Sequence, residues 1–143
     1  MSDTYTEVYY HLVWTTKRRE EMITPEVAAA LYPCLKAICR KRDVTIHALN
    51  GMPDHIHLAC TVPPAVAVAD LMHDLKGSSA HLVNHLPGRR LALAWQPGYG
   101  ALTFAGRDLA RVTAYVQNQQ QHHQDSNLSE KMERASDHRP AQS

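Results

Sequence analysis

The chain has 143 residues, of which 44% are hydrophobic and 20% charged, with ten histidines and a formal net charge of +1. That length suits one compact α/β or α+β domain burying roughly two thirds of its unfolded surface; no apolar run approaches the ~18 residues of a membrane span, and the near-neutral balance argues against a protein that coats nucleic acid indiscriminately. The start, MSDTYTEVYYHLVW, lacks the basic segment, apolar stretch and cleavage site of a secretory signal, and three cysteines without paired spacing (Cys34, Cys39, Cys60) suit packing roles in a reducing compartment, so the cytoplasm is the expected location.

Residues 6–16, TEVYYHLVWTT, alternate Val8, Tyr10, Leu12 and Trp14 against Tyr9, His11, Val13 and Thr15, which predicts a strand. Thr24 is an N-cap with Pro25 at the first helical position. Val27, Leu31, Leu35 and Ile38 then recur at helical spacing to about Arg42, with Pro33 as a point where the helix can kink. VTIHALN and HIHLACTV, separated by the turn residues GMPD, read as a hairpin. In its second strand Ile56, Leu58, Cys60 and Val62 share one face, and His55, His57, Ala59 and Thr61 the other. The apolar face must meet the core, so both histidines project from the opposite side of the sheet. Composition alone supplies roughly 0.7 His-x-His pairs in such a chain; the shared outward face raises this pair above that background. After Pro63 and Pro64, Val68, Leu71, Met72, Leu75, Leu82 and Val83 mark a second helix with Lys76, Gly77, Ser78 and Ser79 polar in its middle, ended by LPGRR. YGALTF predicts a short strand, and GRDLARVTAYVQNQQQHH a third helix from about Arg107 to His123. Residues 125–143 are polar and are expected to form a mobile tail beyond a single domain of residues 1–124.

Strand, helix, hairpin, helix, strand is the order of a ferredoxin-like (RRM-like) α+β fold, an antiparallel sheet with two helices on one face. The other face is then open, and the last helix is the element available to cover it. On that helix Leu109, Val112 and Val116 form the apolar stripe. Tyr115 and Gln119 lie together along one edge, one turn apart, and Arg111 and His122 continue that edge. Taken alone, Tyr115 reads as an amphipathic packing residue. Beside Gln119 it acquires a second reading, because an amide oxygen can complete a divalent-cation site begun by two imidazoles while a phenol one turn away supplies a nucleophile. The basic clusters KRR (17–19), RKR (40–42) and GRR (88–90) can converge on phosphates or remain solvated loop charges.

MPDHIHL, DLMHDLKGSSA, WQPGYGALTF and YVQNQQQHH, in this order, resemble the small single-tyrosine HUH transposases of the insertion-sequence 200/605 type and their relatives associated with repetitive extragenic palindromes. YYHLVWTTKRR is similar too, so the resemblance spans Tyr9 to His123. It implies His55 and His57 as the motif that names the superfamily, Gln119 as third metal ligand and Tyr115 as nucleophile. Further implications are a Mg²⁺ or Mn²⁺ cofactor, a 5′-phosphotyrosine intermediate with a free 3′ hydroxyl, a single-stranded DNA hairpin at the element ends as substrate, and a homodimer whose active sites are either shared or contained in one subunit. Two imidazoles favour zinc, nickel or copper on affinity, and manganese best reconciles that preference with the resemblance. Asp54, in the turn and directed away from His55 if the strand starts there, is a candidate to support a ligand. Lys17, Arg18, Arg19, Lys76, Arg89 and Arg90 are candidate DNA contacts, with Tyr99 placed to stack on a base.

Three other readings compete. A His-triad nucleotide hydrolase would need a histidine where Ala59 stands. A non-catalytic ferredoxin-like module that stacks nucleobases on Tyr9, Tyr99 or Tyr115 explains an open sheet face, but not the pairing of Tyr115 with Gln119. A degenerate relative that keeps the fold without cutting is a third outcome.

Overall fold

A computed structural model of the chain describes residues 4–119. Its elements follow the expected order: β1 (Tyr9–Thr15), α1 (Pro25–Lys41), β2 (Thr45–Met52), β3 (His55–Thr61), α2 (Val68–Asn84), β4 (Gly100–Phe104) and α3 (Leu109–Gln117). The expected last helix to about His123 instead ends at Gln117, where Asn118 (φ −109°, ψ 30°) leaves helical geometry as the C-cap, so Gln119 follows the helix rather than lying on it; residues 120–123 with His122, the boundary at residue 124 and the tail lie outside the described residues.

The strands form one antiparallel sheet in the order β2-β3-β1-β4. The two central strands are buried on both faces, so β1 and β3 are nearly closed to solvent along their length. Strand alternation sends Leu12, Trp14, Ile56, Leu58 and Cys60 to one side, where they pack under α1 and α2 with Leu31, Leu35, Leu71 and Leu75. The Thr24 hydroxyl caps α1 by accepting from the Val27 N–H at 3.2 Å, and the helix continues through Pro33 rather than stopping there. In α2 the buried stripe is Leu71, Met72, Leu75, Ser79 and Val83, while Leu82 is 40% exposed. Leu82 lies at the lip of an open groove between α1 and α2 also lined by Cys34, Arg42 and Gly77. Ser79 is buried because its hydroxyl is used: it donates to the Lys76 carbonyl and accepts from the Trp95 indole.

The β2–β3 turn is tighter than the sequence suggests. Pro53 and Asp54 alone bridge the strands, and Gly51 and Met52 remain paired with Ile56 and His55. The pairing explains the glycine, since a Cβ at position 51 would sit 2.2 Å from the His55 carbonyl oxygen. Gly51→Ala must therefore displace the hairpin that carries the histidines. A loss of about 1–3 kcal/mol is expected, as for other overpacking changes, read as a lower midpoint of denaturant unfolding; an unchanged midpoint would mean the hairpin yields freely.

The opposite face of the sheet carries α3. Val112, Tyr115 and Val116 pack there on Ala48 of β2 and Ala59 of β3, with Leu102 and Phe104 at the margin. The buried stripe thus includes Tyr115 in place of Leu109, which is only partly buried. No helix among the described residues is long and apolar enough to cross a membrane.

Candidate active site

His55 and His57 point from β3 to the face covered by α3, as the alternation requires. Both are buried, and their rings lie 5.0 Å apart at 69°. Each imidazole is gripped at Nδ1. The His55 Nδ1 meets Asp54 Oδ1 at 2.6 Å, and the His57 Nδ1 meets Nε2 of His11 at 2.7 Å. A ring held at Nδ1 presents Nε2 as its outward nitrogen. The His55 Nε2 faces the side-chain amide of Gln119 at 3.1 Å. The Tyr115 ring approaches His57 edge-on at 5.8 Å and His11 at 6.0 Å. α3 and the turn that closes it therefore deliver Tyr115 and Gln119 to the histidine pair of the same chain.

The backing groups differ in charge. Partial burial works to raise the Asp54 carboxyl, but the hydrogen bond from His55 and the adjacent Arg19 outweigh it and hold it below its usual range. Arg19 donates from Nε to Asp54 Oδ2 at 3.1 Å. That placement needs consecutive left-handed backbone conformations at Arg18 (φ 56°) and Arg19 (φ 55°), which are costly for residues with side chains. His11 is fully buried, and burial pushes its imidazole down to about 3, so it is neutral.

Asp54 corrects the expectation that it faces away from His55. As a turn residue it is outside the strand alternation, and its carboxylate folds back onto the neighbouring ring. Arg19 reaches the site through that carboxylate. The other candidate contacts spread over two regions. Lys17 and Arg18 are exposed on the turn after β1, which is stitched to the 94–96 segment through the Lys17 N–H to Ala94 carbonyl and the Arg18 N–H to Gln96 Oε1 bonds. Arg89 and Arg90 are exposed beyond α2, with Arg89 3.9 Å from Glu26 at the start of α1. Lys76 is half-buried, and its ammonium donates to the carbonyls of Gln96 and Gly98 at 2.8 and 2.7 Å. It ties the WQPGYG segment to α2 and is committed to that loop. Tyr99 is partly buried against the main core. His11 is absent from the sequence-based site. The available signal is its place on the same face of β1 as Tyr9 and Val13; the strand register that sets it diagonal to His57 is not legible in one chain.

Residues 4–119 match the family described as Transposase IS200 like. The chain belongs to that family. It is 31% identical over 121 residues to the ISDra2 transposase TnpA of Deinococcus radiodurans, covering 79% of this chain and 84% of that one. To the transposase for insertion sequence element IS200 of Salmonella typhimurium it is 29% identical over 115 residues, 77% of this chain and 75% of the relative. Among solved structures, a candidate transposase from Deinococcus radiodurans R1 superposes with a TM-score of 0.62 at 30% identity, over 83% of this chain and 95% of that one. A REP-associated tyrosine transposase bound to a REP hairpin shares the fold, with a TM-score of 0.63 at 19% identity over 87% of this chain and 75% of that one. As an IS200-like transposase the protein is an enzyme of DNA strand cleavage and transfer, and the ferredoxin-like α+β architecture is that of its relatives.

Proposed function

We propose that this IS200-like transposase cleaves and rejoins single-stranded DNA next to a hairpin, with Tyr115 as nucleophile and a divalent cation held by His55, His57 and Gln119. The carrying observation is that α3 brings the Tyr115 ring to 5.8 Å from His57, and the turn after it the Gln119 amide to 3.1 Å from His55. The donor set suits a cation: two imidazoles gripped at Nδ1 leave Nε2 to coordinate, and the Gln119 amide, turned about its terminal bond, presents an oxygen beside them. Bound there, Mg²⁺ or Mn²⁺ would polarise the scissile phosphate and stabilise charge building on the leaving oxygen, worth several kcal/mol.

The phenol has a reference pKa near 10 and is weak at neutral pH until it is oriented on a polarised phosphate. As the Tyr115 oxygen bonds to phosphorus it loses its proton. The P–O3′ bond breaks and the departing 3′ oxygen gains a proton, which leaves a 5′-phosphotyrosine and a free 3′ hydroxyl. A second 3′ hydroxyl reverses the chemistry and joins strands without ATP. Lys17, Arg18, Arg89 and Arg90 are the exposed cations to which we assign DNA phosphates; Arg19 meets the substrate only at the edge of the metal site. Assembly as a homodimer belongs to the same proposal, although α3 meets the sheet of its own chain, so one chain can supply both sets of residues.

The test is a labelled single-stranded oligonucleotide carrying the gene's own flanking hairpin, incubated with the protein and Mn²⁺ and run on a denaturing gel. A covalent protein–DNA adduct is expected, and it should vanish with a chelator. Hairpin binding without adduct at any metal concentration would instead identify a non-catalytic single-strand-binding module.

A further inference from the structure

We infer that His11 is a positioning residue for His57: by accepting the His57 Nδ1–H at its own Nε2, it holds that ring in the tautomer that points a lone pair on Nε2 at the cation. The inference rests on the metal-site reading above.

A neutral imidazole carries one proton, and whichever nitrogen holds it cannot ligate a metal. For His57 to coordinate through Nε2 its proton must sit on Nδ1, and inside a fully buried site that N–H needs an acceptor. Nε2 of His11 lies 2.7 Å from Nδ1. The two rings are stacked at 4.8 Å and 25°, so the contact sets ring rotation as well as proton position. His11 is held in turn by β1, which pairs with β3 in the centre of the sheet. It is therefore fixed on a rigid element, as a residue that orients a ligand must be.

Two other roles for His11 fit less well. A third metal ligand would have to reach the Nε2 side of His57, whereas His11 occupies the Nδ1 side. A packing residue would be apolar: its neighbours in sequence, Leu12 and Val13, fill their sites with no polar atom to satisfy.

The first measurement uses the metal-free wild-type protein. Nitrogen-15 NMR of its imidazoles should show His57 protonated at Nδ1; protonation at Nε2 overturns the inference. The second is Mn²⁺ affinity by calorimetry, in wild type, His11→Phe and His11→Gln. His11→Phe should weaken binding 10- to 100-fold, the usual effect of removing such a partner, and His11→Gln, which keeps an acceptor, should bind more tightly than His11→Phe. Equal affinity in wild type and a folded His11→Phe overturns the inference. Absence of saturable Mn²⁺ binding in wild type overturns the metal-site reading instead, and the tautomer then decides the role of His11 by itself, as it does should His11→Phe fail to fold.

Discussion

Tyr115→Phe should bind the hairpin oligonucleotide as the wild type does and form no covalent adduct. The substitution deletes one oxygen and keeps the ring, which is 5% exposed and packed with Val112, Val116, Ala48 and Ala59. The packing that docks α3 is retained, so stability should change by no more than about 1–2 kcal/mol, the scale of a single hydroxyl's hydrogen bonding. Chemistry should be affected far more, because in the proposed mechanism covalent capture requires the oxygen on that ring. The denaturing gel reads the adduct and a melting curve reads the fold. An adduct that survives in Tyr115→Phe would place the nucleophile on another residue.

His57→Ala should lower cleavage about a thousandfold while hairpin affinity stays within a few fold. Losing one of the two proposed imidazole ligands would remove most of the several kcal/mol that a metal contributes to phosphoryl chemistry, and each 1.36 kcal/mol is a factor of ten in rate. The substrate's hairpin is assigned to exposed cations outside the buried pair, so its binding should be nearly untouched. The variant also leaves the His11 ring facing a void, and a stability loss of about 1–3 kcal/mol is expected from the broken buried hydrogen bond. Single-turnover rates measured beside a binding titration separate the two effects. A parallel collapse of rate and affinity would mean that His57 supports the sheet rather than the reaction.

Much of this molecule is legible in its residues. Strand alternation fixes which side of β3 the histidines occupy, and the helical repeat of Val112 and Val116 fixes the face by which α3 docks, because both follow from covalent geometry and burial. Legibility ends where contacts depend on register and on loops. His11 can be matched to His57 only once β1 is known to pair with β3, and Asp54 escapes the alternation because it sits in a two-residue turn. Lys76 reads as a cation available to DNA on any helical wheel. Its actual partners are backbone carbonyls twenty and more residues away, and no local pattern announces them. The same applies to Ser79, a polar residue inside an apolar stripe whose hydroxyl accepts from the distant Trp95 indole as well as donating to the Lys76 carbonyl.

The two faces of the sheet are unequally anchored. α1 and α2 rest on large aliphatic side chains and Trp14, whereas the helix Leu109–Gln117 is seated mainly on two alanines through two valines and the tyrosine ring, with Leu102 and Phe104 at the margin. A helix of that length is marginal by itself in water, so its order is borrowed from this small seat. Undocking it should cost less than melting the domain, and one such event would withdraw the proposed nucleophile and the amide together. A loss of turnover in a molecule whose calorimetric trace is still that of the native state is then the expected signature.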